Sequence, residues 1–157
     1  GVMQLRQQGH INKLLHMFNM SDCNPAYTPM ENRLKLKKAT SNNNSQIPYC
    51  QVIGKLLYIV IASRPNIGFL VSYLSCFVAC YDESHWIAIK RLLCYLKGSC
   101  NLAVTYHHPT TVTQTDFIPV GYCDANWGGN PINCKSVSSY FFILARGPMI
   151  ELTHQQA

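Results

Sequence analysis

The chain has 157 residues, of which 48% are hydrophobic and 13% are charged, so it can form a core and does not have the composition of a disordered polymer. Thirteen Lys and Arg residues against seven Asp and Glu residues give a net charge of +6. The excess lies in residues 1–100 and suits a polyanionic partner or an ordinary solvated surface. The eight cysteines include no Cys-x-x-Cys pair and no zinc-finger spacing, so we expect reduced thiols in an intracellular protein.

The first third of the chain predicts a strand, a helix and a long irregular stretch. Residues 2–7 alternate weakly and predict a short strand. Residues 9–20 carry apolar side chains at helical spacing and predict one amphipathic helix. Residues 21–29 are rich in Ser, Asn, Asp and Pro and predict a loop, and the polar residues 41–46 predict a linker.

Three further helices are predicted between residues 47 and 100. Their ranges are 49–62, 66–79 and 85–97. Asp82 is a suitable N-cap for the last of them, and Gly98 a suitable end. Apolar stripes allow the three helices to pack as a small bundle. In the helix predicted at 49–62, the stripe consists of Ile53, Leu56, Leu57, Val60 and Ile61. In the helix predicted at 66–79, it consists of Ile67, Leu70, Val71, Leu74, Phe77 and Val78.

The uncharged stretch from Pro65 to Tyr81 is short for a membrane span and follows a helical period. We therefore expect a buried helix and no membrane partner. Cys76 and Cys80 lie one helical turn apart near His85, which leaves a metal site there as an alternative, although small cysteines are common in protein cores.

The period changes after Gly98, where short β-branched or aromatic runs predict strands. These runs are residues 102–106, 117–123, 138–144 and 148–153, with loops predicted at 109–114 and 128–135. The expected fold class is therefore α+β (α/β), with a helical part followed by an incomplete mixed sheet.

Seven passages, taken in order, carry a resemblance. They are Asp22-Cys23-Asn24-Pro25 with Thr28-Pro29-Met30-Glu31, Ile53–Tyr58 with Arg64-Pro65-Asn66-Ile67, Val71–Ser75, His85-Trp86, Lys90–Gly98, Gly121–Gly129 and Lys135–Tyr140. Together they resemble passages of copia-type retrotransposon polyproteins in the same order, over nearly the whole chain. Asn66 stands where that family usually has Asp, and Asn126 replaces the second Asp of its "DAD" passage.

The resemblance implies three parts. Residues 1–46 would be the end of a reverse transcriptase domain with a linker, residues 47–100 would be thumb-like or connecting helices, and residues 101–157 would be the first part of a ribonuclease H-like domain. The paired polymerase aspartates of such polyproteins lie upstream, and the later ribonuclease H carboxylates lie downstream of Ala157. The implied partners are an RNA–DNA hybrid or other nucleic acid and the rest of the Pol polyprotein.

Asp124 matches the first metal ligand of the ribonuclease H family and follows the predicted strand 117–123. From the local pattern alone, a turn-forming Asp after a strand is the alternative interpretation. The family chemistry uses two Mg²⁺ ions, which need several convergent carboxylates. Asp116 and Glu151 match no catalytic passage. We therefore expect a vestigial catalytic and metal-binding Asp124, no cofactor for this chain alone, and no RNA hydrolysis.

Four basic side chains on the predicted helices are candidates for nucleic-acid binding, with a solvated helix face as the alternative. They are Lys55, Lys90, Arg91 and Lys97. Thumb-like helices contact the backbone of a primer–template duplex, and phosphate contacts of this kind read charge rather than sequence. Three functions follow as hypotheses: an inactive piece of a Pol polyprotein, a host-retained module that binds nucleic acid or protein, and a nuclease completed by a partner chain.

Overall fold

The computed structural model of the chain describes residues 1–32, 34–39, 47–107, 118–126, 136–144 and 147–155, with the backbone alone at Asn126, Val137 and residues 150–155. The loops predicted at 109–114 and 128–135 and the linker at 41–46 lie outside these residues.

The described residues form four α-helices and five strands, which confirms the mixed α and β composition. The helices are α1 (Gln8–Met17), α2 (Tyr49–Ser63), α3 (Gly68–Ser75) and α4 (Glu83–Gly98), with a 3-10 turn at Pro65–Ile67 between α2 and α3. The strands are β1 (Val2–Leu5), β2 (Val104–His107), β3 (Val120–Asn126), β4 (Val137–Leu144) and β5 (Gly147–Gln155).

The chain divides into two compact units, one made of residues 1–6 and 103–157 and the other of residues 7–102. The first unit contains both sheets. β1 pairs with β2, and β3, β4 and β5 form a three-stranded meander in that order. Every pairing is antiparallel, so the prediction of a mixed sheet is wrong for the described strands. Short connections such as that between β4 and β5 allow antiparallel pairing, because a parallel pair needs a crossover of a dozen or more residues.

The hydrophobic core lies in the helical unit, residues 7–102. Every described apolar side chain that is buried falls between Ile11 and Leu96. Each helix contributes one apolar face, which is how amphipathic helices form a core. The buried set includes Ile11, Leu14 and Leu15 of α1, Val52, Ile53, Leu56 and Ile59 of α2, Leu70, Val71 and Leu74 of α3, and Ile89, Leu92, Leu93 and Leu96 of α4. Within the described residues, no helix is long and apolar enough to cross a membrane.

Two helices end earlier than predicted, for local reasons. α1 stops at Met17 because Asn19 adopts a left-handed conformation with φ 55°, and Asn is one of the few residues that do so readily. α3 stops at Ser75 because the amides of Cys76, Phe77 and Val78 bond three residues back rather than four. Beyond the helix end Phe77 remains fully buried, as predicted, whereas Val78, the last residue of the predicted stripe, is exposed.

α4 begins with the cap that the sequence predicts. The Asp82 carboxylate accepts the amide of Ser84 at 2.9 Å and its hydroxyl at 2.5 Å. The Nδ1 atom of the buried His85 ring lies 2.7 Å from the same carboxylate oxygen and 3.1 Å from the amide nitrogen of Asp82. The Ser84 hydroxyl, followed by His85 and the Ser84 amide, lowers the pKa of Asp82 from 3.8 to about 2. The carboxylate form of Asp82 therefore stabilises the start of α4.

Replacing Asp82 by Ala should lower the free energy of unfolding by about 1 kcal/mol at pH 7. Because the pKa of Asp82 is lower in the folded than in the unfolded chain, its contribution is complete above about pH 4 and disappears as the pH falls towards 2. Urea titrations between pH 2.5 and 7 should thus show the two proteins converging in acid. Asp82→Asn, which keeps a capping oxygen without the charge, is the control. A difference between Asp82→Ala and wild type that is the same at both pH limits would contradict this account.

Candidate nucleic-acid and metal sites

Asp124, the candidate metal ligand, lies within β3 rather than after it, so its predicted place at a strand end is wrong. β4 begins at Val137 and provides backbone partners as far as Asn126, which extends β3 past Cys123. Asp124 pairs with Ser139 and is exposed at a shallow depression. The depression is lined by Tyr122, Cys123, Asp124, Ser139, Tyr140 and Phe141.

The described side chains around Asp124 do not fit a pair of Mg²⁺ ions. Of the described side chains that line the depression, Asp124 is the one carboxylate, and Ser139 adds a hydroxyl. Among the described residues, no group of three His, Cys, Asp or Glu side chains could hold a metal ion, and this includes the Cys76, Cys80 and His85 alternative. Two divalent ions require several convergent oxygen ligands, and the described residues around Asp124 do not provide them.

A segment without regular secondary structure, Cys23–Glu31, lies along α4, and we call it the strap. The Ala26 amide donates to the carbonyl of Cys94 at 3.2 Å, near the end of α4. A Cβ at Gly98 would lie 2.9 Å from the Cβ of Pro25, so only glycine permits this close approach without a shift. The strap runs antiparallel to α4, since its later residues contact earlier turns of the helix.

Two of the predicted nucleic-acid ligands hold the strap in place. The Lys97 ammonium donates to the carbonyl of Cys23 at 2.8 Å. The Arg91 guanidinium donates to the Thr28 hydroxyl at 2.9 Å and lies 3.5 Å from a Glu31 oxygen. Both side chains are therefore occupied by neighbours within the helical unit. A polyanion would have to replace these contacts to bind them.

Lys90 is also paired, but at the surface. Its ammonium lies 3.2 Å from a Glu83 oxygen and 5.8 Å from the centre of the Trp86 ring. Exposed ion pairs of this kind contribute between 0 and about 1 kcal/mol, so a phosphate could compete for Lys90.

Lys55, the fourth candidate, lies half-buried on α2 beside an outward apolar face. No hydrogen bond or ion pair joins Lys55 to another described side chain. The face includes Gly54, Leu57, Tyr58 and Ile61, which follow helical spacing. Leu57 is 38% exposed and Ile61 is 85% exposed, so the prediction that these two residues belong to the buried stripe is wrong. The ring of Tyr58 is also exposed. The buried face is formed instead by Tyr49, Val52, Ile53, Leu56 and Ile59.

Arg64 is a residue whose role sequence reasoning missed. Its side chain is 2% exposed, and its two terminal nitrogens donate to the carbonyl and hydroxyl oxygens of Ser99 at 2.8 and 2.7 Å. The guanidinium also lies 5.5 Å from the centre of the Tyr95 ring. The buried arginine thus joins the end of α2 to the end of α4. The one sequence feature that could have indicated this role is the position of Arg64 directly before Pro65, which begins the 3-10 turn.

The third partner of Arg64 is the side-chain amide of Asn66, at a position where copia-type polyproteins usually have the carboxylate of Asp. Arg64 Nε donates to Asn66 Oδ1 at 3.1 Å, and the Asn66 amide donates to the Tyr95 hydroxyl at 2.8 Å. The guanidinium is therefore buried with neutral oxygen acceptors among its described partners. Burying a charge without an opposite charge is unfavourable, although hydrogen bonds offset part of the cost.

No model of a known protein family matches the chain, and no solved structure matches it. The chain is 31% identical over 150 residues to "Retrovirus-related Pol polyprotein from transposon TNT 1-94" of Nicotiana tabacum, covering 91% of the chain and 11% of that protein. It is 30% identical over 148 residues to "Retrovirus-related Pol polyprotein from transposon RE1" of Arabidopsis thaliana, covering 94% and 10%. It is 32% identical over 101 residues to "Secreted RxLR effector protein 161" of Plasmopara viticola, covering 64% and 68%. The chain spans about a tenth of the length of the two polyproteins.

Replacing Asn66 by Asp should raise the free energy of unfolding by about 1 kcal/mol, because a carboxylate at that position gives the buried guanidinium a charge-assisted bond. The Tyr95 hydroxyl can rotate and donate to the new carboxylate. Thermal melts at low and high salt measure the change. Asn66→Ala, which removes the acceptor, should lower stability. An Asn66→Asp protein no more stable than wild type would show that Arg64 needs no counter-charge.

Proposed function

Because the chain belongs to a sequence family that includes retrovirus-related Pol polyproteins of transposons, we propose that it is a piece of the reverse transcriptase and ribonuclease H region of a copia-type element. The parent activity would be RNA-directed DNA synthesis and removal of RNA from RNA–DNA hybrids. In this proposal, the helical unit contacts the nucleic acid and the chain performs no catalysis by itself.

The observation that best supports nucleic-acid binding is the presence of a glycine, Gly54, inside α2. A glycine inside a helix costs about 1 kcal/mol relative to alanine. A Cβ built on Gly54 meets no atom within 4 Å, so packing inside the described fold does not require glycine there. A backbone without Cβ allows another molecule to approach the helix closely. Gly54 therefore supports an external partner on the outward face of α2.

The surroundings of Gly54 suit a nucleic acid. Lys55 supplies a cation, and the exposed ring of Tyr58, which lies 5.0 Å from the His10 ring, supplies an aromatic surface. Lys13 follows His10 by about one turn of α1. Residues 7–102 hold ten of the 13 basic and four of the seven acidic residues, so their balance of +6 equals the net charge of the whole chain. A positive surface with exposed aromatic rings is a common way to bind nucleic acid without reading its sequence.

The proposal that the chain does not hydrolyse RNA rests on the ligands around Asp124. The ligands of the described lining, one carboxylate and one hydroxyl, cannot neutralise two divalent ions or orient the attacking and leaving oxygens. The three-stranded meander with Asp124 on its first strand is compatible with a ribonuclease H-like origin for this unit.

A second candidate is a host-retained module without enzymatic activity that binds nucleic acid or a protein. The Plasmopara protein supports it, because the chain covers 68% of that protein and a similar sequence therefore makes up most of a short protein. The exposed Ile61 would suit an apolar protein partner better than a polyanion.

Gly54→Ala separates binding from stability. The added methyl group should raise the melting temperature by a few degrees, since alanine favours the helix, and should weaken binding to an RNA–DNA hybrid about tenfold by blocking close approach. Lys55→Gln should weaken binding. It should also reduce the slope of log K against log salt concentration by about 0.9, the value for one phosphate contact. Fluorescence anisotropy over a salt series measures both effects on one labelled duplex.

Gly9→Ala is the matched control, because Gly9 is also helical and its added Cβ also meets no atom within 4 Å. It should leave affinity unchanged. No binding to the hybrid at low salt, or equal affinity for wild type and Gly54→Ala, would contradict the nucleic-acid proposal. The same duplex incubated with Mg²⁺ tests catalysis: it should remain intact, and cleavage that Asp124→Asn abolishes would contradict the proposal of inactivity.

A further inference from the structure

Thr28 lies on the strap with its hydroxyl group at the surface and next to a cation. The residue is exposed and its neighbour Tyr27 is 99% exposed, so no described part of the chain covers this stretch. The Thr28 hydroxyl oxygen accepts a hydrogen bond from the Arg91 guanidinium at 2.9 Å. A hydroxyl that accepts one bond keeps its proton free to donate. Thr28 therefore presents an accessible hydroxyl group to other molecules.

Pro29, which follows Thr28, distinguishes this hydroxyl from the others in the chain. The sequence has eight prolines, and Pro29 is the only one that directly follows a Ser or a Thr. Proline favours an extended conformation in the residue before it. Protein kinases bind the acceptor segment as an extended chain, and one class of them selects proline directly after the acceptor. The strap has no regular secondary structure, so Thr28 suits this class without the unfolding of a helix or strand.

Few contacts would have to open for an enzyme to reach Thr28. No backbone hydrogen bond joins residues 27–30 to other described residues. The nearest such bonds are that of the Ala26 amide to Cys94, before this stretch, and that of the Leu34 amide to Glu31, after it. Segments with few buried contacts open locally at a low cost in free energy. Residues 27–30 can therefore separate from α4 while the helices remain folded.

The Arg91 guanidinium has donors that its present neighbours do not satisfy. Its Nε atom is buried and has no hydrogen-bond partner among the described residues. One terminal nitrogen lies 3.5 Å from an oxygen of the exposed Glu31 side chain, which is longer than an ordinary hydrogen bond. Exposed ion pairs of this kind contribute little to stability. A guanidinium forms paired hydrogen bonds with a phosphate group, so a phosphate on Thr28 would supply the acceptors that Arg91 lacks.

We propose that Thr28 is a phosphorylation site for a proline-directed protein kinase, and that the phosphate formed there pairs with Arg91. In the reaction, Thr28 Oγ1 forms a bond to the γ-phosphorus of a nucleoside triphosphate, and the bond from that phosphorus to the β,γ-bridging oxygen breaks. The hydroxyl proton passes to the catalytic base of the kinase, and the nucleoside diphosphate leaves. This inference concerns the strap and is independent of the proposed nucleic-acid binding.

The phosphate strengthens the contact between the strap and α4. It carries a charge of about −1.5 to −2 at neutral pH and is attached to an oxygen that already contacts Arg91. The Glu31 carboxylate is repelled by the phosphate and, being exposed, can move into solvent. Arg91 thus exchanges a weak ion pair for a charge-assisted contact. The Ala26 amide should consequently exchange with deuterium several-fold more slowly in the phosphorylated chain.

Phosphorylation of the full chain tests the site directly. The chain is incubated with ATP and a purified mitogen-activated protein kinase, digested with trypsin and analysed by fragmentation mass spectrometry. We expect one phosphoryl group, on Thr28 of peptide 14–33, which also contains Ser21 and Tyr27. Incorporation should be lost in Thr28→Ala, largely lost in Pro29→Ala and retained in Tyr27→Phe. No incorporation into wild type, or a phosphate on Ser21 or Tyr27 in place of Thr28, would overturn the proposal.

Phosphorus NMR tests the pairing with Arg91 separately. The second ionisation of the phosphate should occur about one pH unit lower in the folded chain than in the same sample unfolded in urea, because a neighbouring cation favours the doubly charged form. This comparison uses one sequence, so it does not depend on the folding of a variant. Arg91→Gln should abolish the difference, whereas Lys90→Gln, which removes the adjacent cation of α4, should retain it. Equal titration midpoints in the folded and unfolded wild type would overturn the proposed pairing.

Discussion

The buried guanidinium of Arg64 is the interaction on which the helical unit depends. Its three nitrogen atoms donate to acceptors on Asn66 and Ser99, and its central carbon lies 5.5 Å from the centre of the Tyr95 ring. Because Ser99 follows α4 and Arg64 follows α2, one side chain fixes the ends of two helices that are far apart in sequence. A planar group with five donors can do this, whereas a single ammonium cannot. The adjacent Pro65 then starts the 3-10 turn that leads into α3.

Tertiary contacts also join several of the passages that resemble copia-type polyproteins. The strap lies in the passage Asp22–Glu31. It packs against the part of α4 that forms the passage Lys90–Gly98, so these two passages contact each other. Arg64-Pro65-Asn66 contacts the end of the same helix. His85 completes the cap at its start. The passages thus meet around α4, and their internal contacts account for much of their sequence without reference to chemistry on a substrate.

The sequence predicted the kinds of elements well, because helical periods and β-rich runs are local signals. Asp82 as the cap of α4 was also predictable, since capping depends on residues within one turn. The buried face of α2 was not, because α2 is apolar on both sides and periodicity cannot choose between Leu56 and Leu57. The strand position of Asp124 depended on how far β4 extends, which is a non-local property. The roles of Lys97, Arg91 and Arg64 depended on tertiary contacts that no spacing reveals.

Arg64→Lys tests the central claim most directly, because it keeps the positive charge and most of the length of the side chain while removing the planar set of donors. If the guanidinium joins the helix ends, the free energy of unfolding should fall by about 3 kcal/mol, since a buried charge would remain with too few partners. Urea denaturation followed by circular dichroism gives this value. An Arg64→Lys protein as stable as wild type would show that the fork of hydrogen bonds to Ser99 and Asn66 does not hold the unit together.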